Sequence, residues 1–290
     1  MKDSSGQQQQ VCREKIAEMN PLLRLTFPYA AESISNQLLA IHSLYACLDQ
    51  LVVQATDDYV SQTQLEWWRV ETLPANMSRS RHPVVGYLHE TGAAELIPAG
   101  AMSALLDSIT SRLETKAPLD LDQFNHLCQD LYQPRIEIET ALTGGNSIPS
   151  MTQGLLARPG GYLLLLRDSF RSTPVAKNRF WWVPLNLLAR SGLARDELLD
   201  ALDSVAVSRL FTDVHSEVQP LNSKRILQGA FDNADSHLHL ILLGCLHNRQ
   251  LVRLQQSKPS TWAGEFERYY IGDVFSFWKA ARSIRATSAS

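Results

Sequence analysis

The sequence predicts an all-α fold, a bundle of antiparallel helices joined by short loops. Apolar residues recur at three- and four-residue spacing, most clearly from Ile41 to Ala55. The alternation typical of β-strands is nearly absent, and breaks containing Pro and Gly separate the helical runs. The chain has 290 residues with 44% hydrophobic content, which is enough to bury a sizeable core.

The first quarter of the chain is predicted to hold a polar tail and two helices. Residues 1–20 include four consecutive glutamines and are expected to form a disordered tail. A long helix is expected to include residues 38–56, where one face is continuously apolar. Residues 59–73 predict a second helix, and Asp57 just before it favours a helix cap or a solvated turn.

Further helices are predicted to the end of the chain. Asp120 or Asp122 is placed to cap a helix over 121–142, and another helix over 155–170 follows a Gly- and Pro-containing break. The remaining periodic runs predict helices from His82-Pro83 through Leu88 and at 102–113, 184–190, 194–202, 202–217, 221–256 and 271–286. Residues 287–290 are expected to be a tail, so the sequence predicts a single domain over 21–286.

Composition excludes several classes of function. The net charge of -3 and the pI of about 6.2 argue against a nucleic-acid partner. The four cysteines are widely separated and lack Cys-x-x-Cys spacing, which favours buried, reduced thiols. No signal peptide is predicted, and the longest apolar run, residues 161–166, is too short to span a bilayer. A cytoplasmic protein is expected, with peripheral membrane contact left open.

Several segments, taken in order, resemble the squalene/phytoene synthase family. Leu44-Tyr45-Ala46 and Trp67-Trp68-Arg69 stand where that family has a Leu-Tyr-Ala helix and a Trp-Arg helix. The run from Leu105 to Glu114 resembles a family helix that starts Leu-Ile-Asp and ends Asp-Leu-Glu. Two later family segments resemble Leu166-Arg167-Asp168 and Asn178-Arg179-Phe180. The resemblance covers most of residues 25–286 and implies the antiparallel bundle of the class I isoprenoid synthases.

Within this family, the chain most resembles the phytoene-synthase-like assembly factors of respiratory complex I, a non-catalytic branch. A Leu-x-Gln stretch and a downstream Trp of that branch match Leu48, Gln50 and Trp68. This resemblance implies a protein partner or an isoprenoid-like lipid rather than a substrate.

The residues that hold Mg²⁺ in the synthases are missing here. The synthases join two prenyl diphosphates, and two Asp-x-x-x-Asp motifs hold the Mg²⁺ that binds the diphosphates. The first motif falls on residues 52–56, which contain no carboxylate, and Asp49 replaces the Arg that precedes it in the family. Of the second motif only Asp168 remains, and its neighbours Arg167 and Arg171 favour an ion pair. We therefore predict no catalytic residues, no metal ligands and no cofactor.

Six residues are candidates for binding a ligand. The basic loop that follows Arg167 could bind an anionic head group, and the alternative is solvated charge around an irregular loop. Resemblance to the family adds positions on the first long helix. The candidates are Tyr45, Gln50, Arg167, Asp168, Lys177 and Arg179.

Histidine and tryptophan positions give two further expectations. His237 and His239 are two residues apart on one predicted helix and do not share a face, so they do not predict a zinc site. If the chain has lost catalysis, nothing keeps a prenyl tunnel open. The large side chains expected to fill it are Trp68, Trp181 and Trp182.

Three hypotheses follow, and the first is favoured. The chain is a non-catalytic scaffold that binds a partner or a lipid, with assembly of a respiratory complex as its specific form. The alternative is an active prenyl transferase of isoprenoid biosynthesis, which would require Mg²⁺. The third is an enzyme with different chemistry in the same pocket. Under the first hypothesis, Asp168→Asn is expected to change stability little.

Overall fold

The fold was obtained as a computed structural model, which describes residues 2–144, 150–172, 179–218 and 237–288. Throughout these ranges the regular secondary structure is helical, without a strand, so the predicted all-α class is confirmed. No helix within them is both long enough and apolar enough to cross a membrane. Lys177 lies outside the described residues.

The N-terminal half of the described chain contains seven helices. Three short 3₁₀ turns occupy most of the connection between the first helix and the second. The helices are α1 Lys2–Met19, α2 Ser35–Val53, α3 Asp58–Glu71, α4 Pro74–Met77, α5 Pro83–Glu90, α6 Ala93–Leu96 and α7 Ala99–Glu114.

The rest of the described chain begins with two 22-residue helices that pack closely together. Shorter helices and one further long pair follow. They are α8 Leu121–Leu142, α9 Ser150–Arg171, α10 Leu185–Ser191, α11 Val205–Val218, α12 Leu238–Gln256, α13 Trp262–Glu265 and α14 Ile271–Ser288. The helices predicted at 38–56, 59–73, 121–142 and 155–170 correspond to α2, α3, α8 and α9. The helix predicted at 194–202 is wrong, because residues 195–203 form turns. Of the helix predicted at 221–256, residues up to 236 lie outside the described ranges.

Two predicted helix caps are confirmed by hydrogen bonds. The Asp57 carboxylate accepts from the backbone N–H of Val60 at 3.0 Å, which begins α3. Asp120 accepts in the same way from Gln123 at 2.9 Å and begins α8. Both side chains satisfy an N–H that has no partner within its own helix. Asp57 therefore has a structural role.

Helix α1 differs from the predicted disordered tail. Its few apolar side chains, Cys12, Ile16 and Met19, lie on one face and are buried against the bundle. The polar face makes additional contacts, including a hydrogen bond from Gln9 Nε2 to Asn36 Oδ1 at 3.1 Å. Three buried apolar residues are a weak sequence signal, because most of the helix is polar. Burial against α2 and α5 orders the segment.

The three tryptophans expected in a tunnel pack into two separate parts of the core. Trp68 contacts His82, with ring centroids 4.8 Å apart. Trp181 and Trp182 belong to a different apolar cluster, where the Trp182 ring lies 5.6 Å from that of Tyr162. Trp182 Nε1 donates to Ser169 Oγ at 2.8 Å. None of the three lines the central cavity described below.

Candidate functional site

Four buried charged residues at the centre of the bundle, one from each of four helices, pair with one another. Asp49 lies on α2, Arg112 on α7, Arg135 on α8 and Asp168 on α9. We refer to these four residues as the central ion network. Asp168 stands at the position that the family resemblance assigns to the second aspartate motif, and Asp49 lies one turn before the residues assigned to the first.

Arg112 joins the two carboxylates of the central ion network. Its Nε and Nη2 donate to the two oxygens of Asp168, each at 2.8 Å, in a bidentate pair. Its Nη1 donates to Asp49 Oδ1 at 2.7 Å. The Arg112 side chain is fully buried, so solvent screens these contacts little. The predicted ion pair of Asp168 is confirmed, but its partner comes from another helix.

Arg135 completes the pairing of Asp49. Its Nη2 donates to Asp49 Oδ1 at 2.5 Å and its Nη1 to Oδ2 at 3.1 Å. Burial alone raises the pKa of Asp49, but Arg135 and Arg112 outweigh it and hold that pKa below its usual range. Burial disfavours the charged Arg112, yet Asp168 and Asp49 raise its pKa. The ionised forms are therefore the stable ones for Asp49 and Arg112.

Pairing of this kind leaves the carboxylates poorly suited to Mg²⁺. Both Asp168 oxygens and both Asp49 oxygens already accept charge-assisted hydrogen bonds from guanidinium groups. A magnesium ion would have to displace a buried arginine to reach either carboxylate. The same geometry reverses the expectation for Asp168→Asn, because the amide would leave Arg112 without its bidentate partner.

The family resemblance implies that two of these charges are exchanged relative to the synthases. It places Asp49 where the family has Arg. Arg112 directly precedes Leu113-Glu114, where the family helix has the Asp of Asp-Leu-Glu. The exchanged residues pair with each other at 2.7 Å. The exchange keeps a cation next to an anion at this point of the bundle.

A small cavity lies beside the central ion network. Its volume is about 10 Å³, close to the minimum that holds one water molecule. Polar side chains of the bundle line one part of it, and residues of the N-terminal segment line the rest. The lining is Ile16, Met19, Asn20, Leu23, His42, Tyr45, Ala46, Asp49, Tyr132, Arg135 and Arg167. A prenyl chain does not fit in this cavity.

The end of α1 is held over this region by two arginines of α9. Arg171 Nη1 donates to the carbonyl oxygen of Met19 at 2.6 Å, and Arg167 Nη1 lies 3.5 Å from the same oxygen. Carbonyls at a helix C-terminus lack partners within the helix and favour cations. Arg171 also pairs with Glu267 at 2.8 Å. These two arginines therefore have intramolecular partners.

The predicted ligand residues are not all brought together. Tyr45 is buried, and its hydroxyl donates to the Arg135 carbonyl oxygen at 3.3 Å. Gln50 lies at the surface end of α2, where its Oε1 accepts from Lys15 Nζ at 2.8 Å. Arg167 is buried beside the cavity. The Arg179 carbonyl oxygen accepts from Ser169 Oγ.

A second buried cluster was missed by the sequence analysis. His42 on α2, Glu139 on α8 and His239 on α12 meet in the interior, and all three are buried. The three residues are far apart in sequence. The apolar pattern of each of their helices predicts only core packing. The one indication in the sequence is Glu139, because a glutamate at a core position of a helix such as α8 usually needs a buried partner. The prediction that no residues could bind a metal overlooked this group.

The comparisons with known proteins agree with the architecture. The family model described as squalene/phytoene synthase matches residues 23–223, more than half of the chain. A dehydrosqualene synthase solved in complex with a ligand superposes with a TM-score of 0.70 and 12% identity, covering 98% of this chain and 99% of the other. The squalene synthase HpnC from Alicyclobacillus acidocaldarius superposes with a TM-score of 0.57 and 12% identity. That comparison covers 98% of this chain and 95% of HpnC. No curated protein matches the sequence.

Proposed function

Because the chain belongs to the squalene/phytoene synthase family, we propose that it keeps the family bundle as a non-catalytic scaffold. The observation that carries this proposal is the central ion network, in which arginines bind both Asp49 and Asp168, the one acid that remains of the two motifs. Assembly of a respiratory complex, suggested by the resemblance of Leu48, Gln50 and Trp68 to one branch of the family, is the specific form that we favour.

Ionisation of an allylic diphosphate needs metal ions that neutralise the leaving group. Each Mg²⁺ needs oxygen ligands, and it is usually bound through one or two protein carboxylates. Val52 and Val53 offer no ligand, and Asp168 is held by Arg112. Arginines alone would bind substrate and product alike, which does not lower the barrier. The small cavity beside the network supports the same conclusion.

We expect no Mg²⁺-dependent turnover of farnesyl or geranylgeranyl diphosphate. The measurement is incubation of pure protein with radiolabelled diphosphate, Mg²⁺ and NADPH, followed by extraction of hydrocarbons. An active dehydrosqualene synthase serves as the positive control. Squalene, phytoene or a cyclopropyl intermediate that disappears in Asp168→Ala would contradict the proposal and support an active prenyl transferase.

A scaffold needs an outer surface for its partner, and α14 offers one. Ile271, Val274, Phe275 and Trp278 form an exposed apolar stripe at three- and four-residue spacing, with Phe275 67% exposed and Trp278 53% exposed. Arg282 lies over the Trp278 ring at 5.5 Å. The opposite face, including Phe277 and Ala281, is buried against the bundle. Aromatic residues flanked by basic ones are typical of helices that lie on a membrane surface.

We therefore expect α14 to bind an anionic lipid surface. In co-sedimentation with vesicles of phosphatidylcholine and phosphatidylserine, Phe275→Glu/Trp278→Glu should lower binding about 100-fold or more, since the two aromatics together contribute roughly 3 kcal/mol or more. Tyr59→Glu is the matched control, because Tyr59 is 79% exposed on α3. Equal binding of both variants would remove α14 from the proposal. A pull-down with mass spectrometry, run with the same variants, then tests a protein partner.

A further inference from the structure

The second buried cluster has the spacing of a metal site. His42 Nε2 and His239 Nε2 are 3.2 Å apart. Glu139 Oε1 lies 3.5 Å from His42 Nε2, and Glu139 Oε2 lies 3.8 Å from His239 Nε2. Ligand atoms at about 2.0–2.1 Å from a tetrahedral zinc ion are separated by about 3.3 Å. The three side chains are therefore already placed around a common centre.

The two imidazole nitrogens are close enough to share one hydrogen bond, but hydrogen bonding does not satisfy the carboxylate of Glu139. Among the described residues, none donates a hydrogen bond to either oxygen of Glu139, although the side chain is only 1% exposed. Nitrogen–oxygen distances of 3.5 and 3.8 Å are too long for charge-assisted hydrogen bonds, which are about 2.7–2.9 Å. A buried carboxylate without such bonds is costly unless a cation neutralises it. The carboxylate points into the space between the two imidazoles.

The surroundings fix the two imidazole rings. Phe27 stacks on His239 with ring centroids 5.2 Å apart and meets the edge of His42 at 5.4 Å. Tyr45 contacts His42 from the other side at 5.3 Å. Aromatic walls exclude bulk water and hold the ring nitrogens toward the centre. His42 also lines the 10 Å³ cavity, whose volume is close to the minimum that holds one water molecule.

We propose that His42, Glu139 and His239 bind one divalent transition-metal ion, with zinc the first candidate. Two imidazole nitrogens and one carboxylate oxygen suit zinc better than Mg²⁺, which prefers an all-oxygen octahedron. The site joins α2, α8 and α12, so the ion would tie the C-terminal part of the bundle to its centre. It is separate from the aspartate positions of the synthases and does not depend on the proposed scaffold role.

The test begins with the metal content of the full-length protein. After treatment with a chelator, addition of Zn²⁺ and gel filtration, we expect about one zinc ion per chain by mass spectrometry of the metal. Co²⁺ in place of zinc should give the visible absorption of a tetrahedral ion. X-ray absorption should show a first shell of nitrogen and oxygen without sulfur, which excludes binding by the cysteines.

Variants separate this site from adventitious binding. Glu139→Gln and His239→Gln should weaken zinc binding by at least about 100-fold. His215→Gln is the matched control, because His215 is also buried but lies against Tyr162 and Trp262. If the ligand variants do not fold, the cobalt and X-ray spectra of the unaltered protein decide. A folded chain that takes up no metal, a sulfur-containing shell, or zinc retained equally in both ligand variants would overturn the proposal.

Discussion

Replacing Arg112 with methionine is expected to lower the free energy of unfolding by about 3–5 kcal/mol. Methionine keeps much of the side-chain volume but removes the charge that pairs with Asp168 and Asp49. Asp168 would then be a buried carboxylate without its guanidinium, and desolvation of that charge dominates the loss. Urea unfolding followed by circular dichroism measures the effect.

Two further variants show whether the loss comes from buried charge. Arg69→Met removes a partly exposed ion pair with Asp107 and should cost about 0–1 kcal/mol. Arg112→Met combined with Asp168→Leu removes the anion as well, and Asp49 keeps its pairing with Arg135. The double variant should therefore be more stable than Arg112→Met alone. If Arg112→Met and Arg69→Met lower the free energy of unfolding equally, the central ion network stabilises the protein no more than a surface ion pair does.

Gly161→Ala is the second change with a large expected effect. It should lower the free energy of unfolding by about 3 kcal/mol or more. A Cβ at this position would lie 2.0 Å from the carbonyl oxygen of Cys128 on α8. That atom belongs to the backbone of a packed helix, so relief requires α8 and α9 to move apart. The same close approach of α8 and α9 explains why a residue without a Cβ stands at this position of α9.

Gly154→Ala is the matched control for this prediction. Gly154 lies in the same helix, and a Cβ there would meet nothing within 4 Å. Alanine should stabilise the helix by about 0.5–1 kcal/mol, since it loses less backbone entropy on folding. The two glycines should thus respond with opposite signs in urea unfolding. A Gly161→Ala protein as stable as the parent would show that α8 and α9 are not in close contact.

Local patterns predicted the bundle well because helix periodicity and caps depend on nearby residues. The apolar face of α2 and the capping by Asp57 and Asp120 are visible within a few positions. The same reasoning missed α1, where the burial of Cys12 and Ile16 depends on surfaces supplied by later helices. Helical propensity there is secondary to packing.

The candidate site was harder to predict because its contacts join distant parts of the chain. Asp168 was recognised as ion-paired, but Arg112 reads as an ordinary charged residue of an amphipathic helix. Their pairing spans 56 positions, and Asp49 pairs with Arg135 across 86. His42, Glu139 and His239 are likewise placed together only by the docking of three helices. Ligand binding by Lys177, which lies outside the described residues, stays a prediction.

The exchanged charges at Asp49 and Arg112 make the present state hard to reverse by single mutations. Asp49→Arg alone would place a new cation beside Arg112, Arg135 and Arg167, with only Asp168 to oppose them. Arg112→Asp alone would gather three carboxylates around the same point. Either intermediate costs several kcal/mol, a large share of the stability of a typical domain. Either member of this pair can therefore reverse its charge on its own only at a large cost in the free energy of unfolding.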